Sequence, residues 1–270
     1  MIAVFEKSER LRHIGHLDIQ RAVMRALRRS GLPVSYSKGF NPHILLTFAS
    51  ALSTGAAGRK EIMDVQLERD VTPEEFVSAM NSAMPPDMQL SFAKVIDDRH
   101  IALMAQVQAA DYTITILDDA AAAKMIAALP AFLAQESIIT MRKTKSGMKE
   151  TDIRPLLLEL TGEGNVLHAM MTLTERLACK PNMLLEALSA FCGIEVPRAM
   201  VVRNGLFGLD ESGALAPLET LYCGRSISVV LRRPTSPLWK TGTWWNTSPM
   251  TANPPPKPFT LAAWNASCQA

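Results

Sequence analysis

The chain has 270 residues, 48% of them apolar and 20% charged, and its net charge is +2. That excludes a chain too polar to bury a core. It also excludes a uniformly basic nucleic-acid binder, because an anion site on a nearly neutral protein has to be local. No apolar run approaches the roughly 18 residues a bilayer span needs, so no membrane association is expected. Charge begins at Glu6, so no signal peptide is read and the cytoplasm is the expected compartment.

Taken in order, residues 2–6 (IAVFE) predict a short apolar strand. The spacing then predicts a helix over His16–Arg29, ending at Ser30-Gly31 with Pro33 beyond. Its apolar side holds Ile19, Val23, Ala26 and Leu27, and its outer side holds Arg21, Arg25, Arg28 and Arg29, with Asp18 placed to pair with Arg21. His16 falls toward the apolar side at the helix start. The arginine stripe has two readings. One is a solvated face with an ion pair. The other is a site for phosphate, RNA backbone or an acidic partner, since a planar guanidinium suits bidentate anion contacts.

Val34–Ser37 and Ile44–Phe48 read as strands around a turn made by Gly39 and Asn41-Pro42. A hairpin needs only those turn residues, yet Ser37, Lys38, Asn41 and His43 are crowded there too. Residues 62–67 alternate as a strand. Thr72-Pro73-Glu74-Glu75 opens a helix, with Thr72 at the N-cap and Glu75 at the third position. Residues 88–95 form the next strand. Strand, helix, strand pair, helix, strand is the ferredoxin-like βαββαβ order.

The order then repeats after a helical link near 99–109. A strand at 112–117 leads to a helix over 120–134 capped by Asp118-Asp119. Short strands follow at 138–143 and 149–153, then a hairpin at 156–161 and 166–172. A helix from Pro181 to Phe191 and a strand at 196–204, with Gly205 after it, complete the unit. The expected architecture is α+β: two tandem ferredoxin-like halves, 1–97 and 110–222. Residues 223–270 hold all four tryptophans and seven prolines, with no acidic residue, and read as a disordered tail. That tail is either a basic-aromatic segment that stacks on nucleic acid or an extension without function.

Arg12, Gly15-His16-Leu17-Asp18, Arg21, the run Arg25–Arg29 and Tyr36-Ser37-Lys38-Gly39-Phe40-Asn41-Pro42-His43 resemble a radical-SAM-linked bacterial family of unknown function. The likeness runs from Phe5 to Leu52. It continues more weakly at Lys143–Gly147 and at Asp152-Ile153-Arg154-Pro155, so that most of residues 1–220 are covered. The chain departs from the family pattern after Leu52, where Ser53–Ile62 keeps Gly55 and Glu61 but lacks the expected Ser and Tyr. The resemblance implies a protein encoded beside, or fused to, a radical SAM enzyme, in some genomes near ribosomal-protein and ribonuclease genes. Cys179, Cys192, Cys223 and Cys268 are too widely spaced for a zinc or iron–sulfur site, so this chain is not itself the radical SAM catalyst. Cys179 and Cys192 are expected to be buried thiols. No cofactor and no metal are implied.

Two function classes follow. One is a non-catalytic partner of a radical SAM enzyme that recognises RNA or ribosomal components. Its binding residues are Arg12, His16, Asp18, Arg21, Arg25, Arg28, Arg29, Ser37, Lys38, Gly39, Asn41 and His43, with Asp152 and Arg154 as a second site or a strand-end ion pair. The other is a metal-independent RNA endonuclease with His43 or His16 as the acid–base group. That reading rests on fold analogy.

Overall fold

The run Ile2–Phe5 is apolar without alternation. The structure, a computed structural model describing residues 1–97, 100–144 and 147–222, gives the reason. Strand β1 (Ile2–Lys7) is buried on both faces, as such runs require. Ala3 and Phe5 enter one core with Ile19, Val23, Phe76 and Met80. Ile2 and Val4 enter another with Leu103, Val107, Tyr112 and Leu218.

Helix α1 (His16–Arg29) has the expected span and buries Ile19, Val23, Ala26 and Leu27. Strands β2 (Leu46–Phe48) and β3 (Ala56–Val65) follow. Helix α2 (Pro73–Ala83) starts as its sequence dictates, the Thr72 hydroxyl accepting the Glu75 N–H at 3.2 Å. Then come β4 (Leu90–Lys94), the short helix α3 (Leu103–Gln106) and β5 (Ala109–Ile116). Helix α4 (Asp119–Leu133) is capped by Asp118, whose carboxylate accepts the Ala121 N–H at 2.8 Å. Its Ala122, Met125, Leu129 and Phe132 are buried, consistent with a scaffold role. Strands β6 (Ile139–Thr144) and β7 (Gly147–Asp152) form a separate two-stranded sheet. Strands β8 (Leu157–Glu163) and β9 (Val166–Thr172) form a hairpin. Helix α5 (Pro181–Cys192) ends at Gly193 (φ 63°), and β10 (Ala199–Leu209) and β11 (Leu215–Pro217) close the fold.

This is a mixed α+β fold around one large, mostly antiparallel sheet, ordered β4-β1-β3-β10-β5-β9-β8, with β2 on β3 and β11 on β10. The one parallel pairing among the described strands joins β3 to β10, over Ala56–Gly58 and Val201–Arg203. Residues 1–222 fall in one compact unit. The expected tail, 223–270, lies outside the described residues.

The structure differs from the sequence reading at several places. Val34–Ser37 is not a strand: Val34 bridges Leu67 while Tyr36 bridges Ile44, so no ladder runs along one partner. Strand β3 starts at Ala56 rather than residue 62, its early part hidden in sequence by Gly58 and three charged residues. Strand β10 does not stop before Gly205. It passes through it to Leu209, with a register shift between Arg203 and Gly205 that accommodates the glycine. Cys179 is buried, but Cys192 is only half-buried. Burial pushes the Cys179 thiol up to about 12, which leaves it an inert core group.

Gly208 of β10 marks a close approach. A Cβ there would lie 2.9 Å from the backbone oxygen of Gln106 and 2.8 Å from the Leu221 side chain. Gly208→Ala is expected to cost about 1–3 kcal/mol of stability, because a backbone atom cannot step aside as a side chain can. Urea denaturation would measure it, and an unchanged midpoint would contradict the packing.

Candidate functional site

Two polar groups among the described residues lie along β3, one toward its start and one beyond its end. At its start, the parallel β3–β10 pairing brings Arg203 beside Gly58, and Arg203 is 1% exposed. Its guanidinium makes a bidentate pair with Glu61: Nε donates to Oε1 at 2.9 Å and Nη2 to Oε2. Nη1 and Nη2 also donate to the Ser50 hydroxyl and carbonyl, each at 3.2 Å. Gly58 has no side chain because Glu61 fills that space: a Cβ would meet Oε1 at 2.3 Å.

Lys7, also buried, enters from β1. Its ammonium donates to the carbonyls of Arg12 (3.2 Å), Ile14 (2.9 Å) and Ala56 (3.0 Å), which fixes the segment leading into α1. His16, the first residue of α1, stands with its ring edge-on to Phe48, centroids 5.2 Å apart. Burial lowers the Lys7 pKa, opposed by Glu61 and assisted by Arg203. Burial likewise lowers that of His16, again opposed by Glu61 and assisted by Arg203 and Lys7. For Arg203 burial is the largest influence and acts downward, but Glu61 and Tyr112 outweigh it and hold the guanidinium firmly protonated. Lys7, Glu61 and Arg203 form a buried charge junction that positions α1 and joins β3 to β10.

At the other end of β3 the loop Ser37–His43 hangs from Gln66, whose carbonyl accepts the Ser35 N–H at 2.9 Å and whose N–H donates to Leu45 at 3.0 Å. Five residues of strand, about 16 Å, separate Gln66 from Glu61. The loop is closed on itself. The Ser37 N–H donates to the His43 carbonyl (2.8 Å), the His43 N–H donates to the Ser37 hydroxyl (3.1 Å), and that hydroxyl bonds His43 Nδ1 at 2.8 Å. The direction of that last bond follows the imidazole tautomer, and Nε2 has no partner among the described residues. Gly39 takes φ 141°, and Phe40 is fully exposed.

The sequence-predicted residues therefore do not form one site. Arg12, His16, Asp18 and Arg21 sit at the Lys7 end, whereas α1 runs back so that Arg28 and Arg29 leave it toward the loop end. Arg21 is paired with Asp18 at 2.9 Å, and Arg29 donates to the Ala83 carbonyl at 2.6 Å. Arg25 and Arg28 are exposed, with no partner among the described residues. Asp152 accepts the N–H groups of Ile138 and Arg154, each at 2.9 Å, and Arg154 Nε donates to the Leu133 carbonyl at 3.1 Å. Burial alone would raise the Asp152 pKa, but the donors from Ile138 and Arg154 hold it below the usual carboxylate range. Those two residues staple the base of the β6–β7 hairpin to α4. Lys7, Ser50, Tyr112 and Arg203 were not singled out from sequence, and Glu61 only as a kept family position. The available signal was an arginine inside the mostly apolar run of β10, whereas Glu61 is one of four charged residues in β3 and does not stand out. A cleft of about 700 Å³ also opens near the end of β3, where His100 Nε2 meets Asp64 at 3.1 Å. Among the described residues no group of three His, Cys, Asp or Glu could hold a metal, and no helix is long and apolar enough to cross a membrane.

Fold and site define a mixed α+β protein with a closed charge junction at one end of a central strand and an open basic and aromatic surface at the other. The chain belongs to the family described as "Uncharacterized protein conserved in bacteria" (DUF2344), which matches residues 1–185. No curated protein matches it.

Two outcomes follow from the junction. Arg203→Met strands the Glu61 carboxylate in the core and is expected to cost about 3–5 kcal/mol, with Glu61→Gln/Arg203→Met recovering part of it. Equal losses in single and double variants, by chemical denaturation, would contradict the pairing. His16 gives a pH dependence. Its folded pKa lies below the unfolded 6.5, so below pH 6.5 the unfolded chain takes up a proton that the folded chain resists. Stability falls as pH drops through that window, and His16→Gln should flatten the change in urea midpoint between about pH 7.5 and about pH 5.5.

Proposed function

We propose that the protein is a non-catalytic, cytoplasmic partner of a radical SAM enzyme, helping it recognise an RNA or ribosome-associated substrate. The observation that carries this is the spare cationic surface of α1. Its apolar face is fully packed while Arg25 and Arg28 remain exposed and unpaired, on the helix that leads into an exposed loop bearing Lys38. On a protein with a net charge of only +2 such a surface is local, as an anion site must be. The radical SAM link comes from the sequence resemblance over Phe5–Leu52.

The fold reading that accompanies this is a duplicated ferredoxin-like unit. Strands β4-β1-β3 with β2 on β3, and strands β10-β5-β9-β8, share one order: fourth, first, third, second within each strand–helix–strand–strand–helix–strand run. The hairpin β6–β7 is then an insertion in the second unit. The duplication accounts for two cores meeting at one sheet.

The test is a pull-down from the native cell with the full-length protein as bait, wild type and Arg25→Glu/Arg28→Glu, with and without ribonuclease. A radical SAM enzyme should be recovered in both treatments, and RNA only without ribonuclease and far less with the variant. Failure to recover a radical SAM enzyme would overturn the partnership. Equal RNA recovery by both proteins would overturn the α1 surface.

A further inference from the structure

We infer that the Lys38–His43 loop is a binding site for an unpaired RNA base, which stacks on Phe40 while the polar residues around the ring hold the base edge and its phosphate. This rests on the RNA-recognition reading and names the ligand class for it.

The argument begins with Phe40. Its side chain is more exposed than in a reference peptide, at 112%, so it contributes nothing to either core. A phenylalanine held wholly in water is unfavourable in the free protein, and its ring face is open to a planar partner. The loop that carries it is pre-organised. Ser37 and His43 lock the neck by three hydrogen bonds, and Pro42 fixes one backbone angle. Little ordering entropy is left to lose on binding.

The surroundings favour a base over a protein. The core of a protein–protein interface, where an aromatic anchor sits, is depleted of charged residues. Around Phe40 the loop instead offers Lys38, Asn41 and His43, all exposed. Lys38 supplies an ammonium for phosphate. Asn41 supplies an amide with both donor and acceptor. His43, with Nδ1 held by Ser37, leaves Nε2 as a further polar atom for the base edge. Tyr36, 42% exposed at the base of the loop, offers a second ring. Aromatic rings that stack bases beside cations that track the backbone are the two parts of a single-strand site. A base inside a duplex cannot reach such a ring without leaving its stack, so the site selects single strands.

The experiment uses the full-length chain and two fluorescent probes, a 12-nucleotide oligo(U) and a 12-base-pair RNA duplex, with affinity read by anisotropy at fixed low salt. Phe40→Ala should weaken oligo(U) binding roughly 5- to 100-fold and leave duplex binding nearly unchanged. Phe40→Trp should restore single-strand affinity, because any aromatic face will stack. Arg25→Glu/Arg28→Glu should weaken both probes. Should Phe40→Ala bind oligo(U) like the wild type while the arginine variant loses both probes, the stacking site is wrong and RNA recognition by α1 stands. Should Phe40→Trp fail to restore what Phe40→Ala loses, the ring does not act by stacking and the inference falls. Should the wild type bind neither probe, the RNA reading falls and this inference with it.

Discussion

The structure depends on one buried ion pair. Arg203 of β10 and Glu61 of β3 meet in a bidentate contact, each less than 5% exposed. They stand where the sheet has a parallel junction only three residue pairs long. Three ladder pairs are a slight bond between two large strand groups. The ion pair adds a connection that is strict in geometry, and removing either partner would leave an uncompensated charge in the core. Burying charge is costly unless every hydrogen-bonding position is filled. Ser50 takes two more of the guanidinium's N–H groups, and three backbone carbonyls take the Lys7 ammonium. The same lysine holds the segment before α1, so the helix that carries the arginine face is set by the junction that joins the sheet.

That arrangement separates two kinds of polarity. The junction is closed, and its charges answer one another. The α1 arginines and the Ser37–His43 loop are open, and several of their groups answer nothing in the described chain. His16 belongs to the first kind despite its place in the densest stretch of unusual residues, because the helix begins at the closed end. His43 belongs to the second, with one ring nitrogen committed to Ser37 and the other without a partner among the described residues. Asp152 and Arg154, which carry part of the family resemblance, hold the base of a hairpin. A patch of motif residues in the sequence thus resolves into scaffold and surface only when the strand that runs between the two ends is seen.

Much of the fold was legible. The span and faces of α1 follow from Ile19, Val23, Ala26 and Leu27 recurring at helical spacing. Thr72 with Glu75, and Asp118 with Ala121, cap their helices within a few residues of chain, where local chemistry is sufficient. The β8–β9 hairpin announces itself through Gly162-Glu163-Gly164. The site was legible only in part. The loop was recognisable as more than a turn, and Phe40 stood among its residues, but nothing local says whether a phenylalanine there packs inward or stands in water.

By itself the sequence determined the elements whose causes lie within one turn or one hairpin: helical periodicity, capping, and glycine or proline at the turns. It also excluded the cysteine spacing of a zinc or iron–sulfur site. Tertiary structure alone decided that Val34 and Tyr36 pair with different partners, that β10 runs through Gly205, and that Glu61 meets Arg203, 142 residues away. It alone placed His16 and the Ser37–His43 loop at opposite ends of β3. The reason is range. Hydrophobic period and capping act between neighbours along the chain and can be read from it, whereas cross-strand pairing and the burial of a charge depend on where the chain returns.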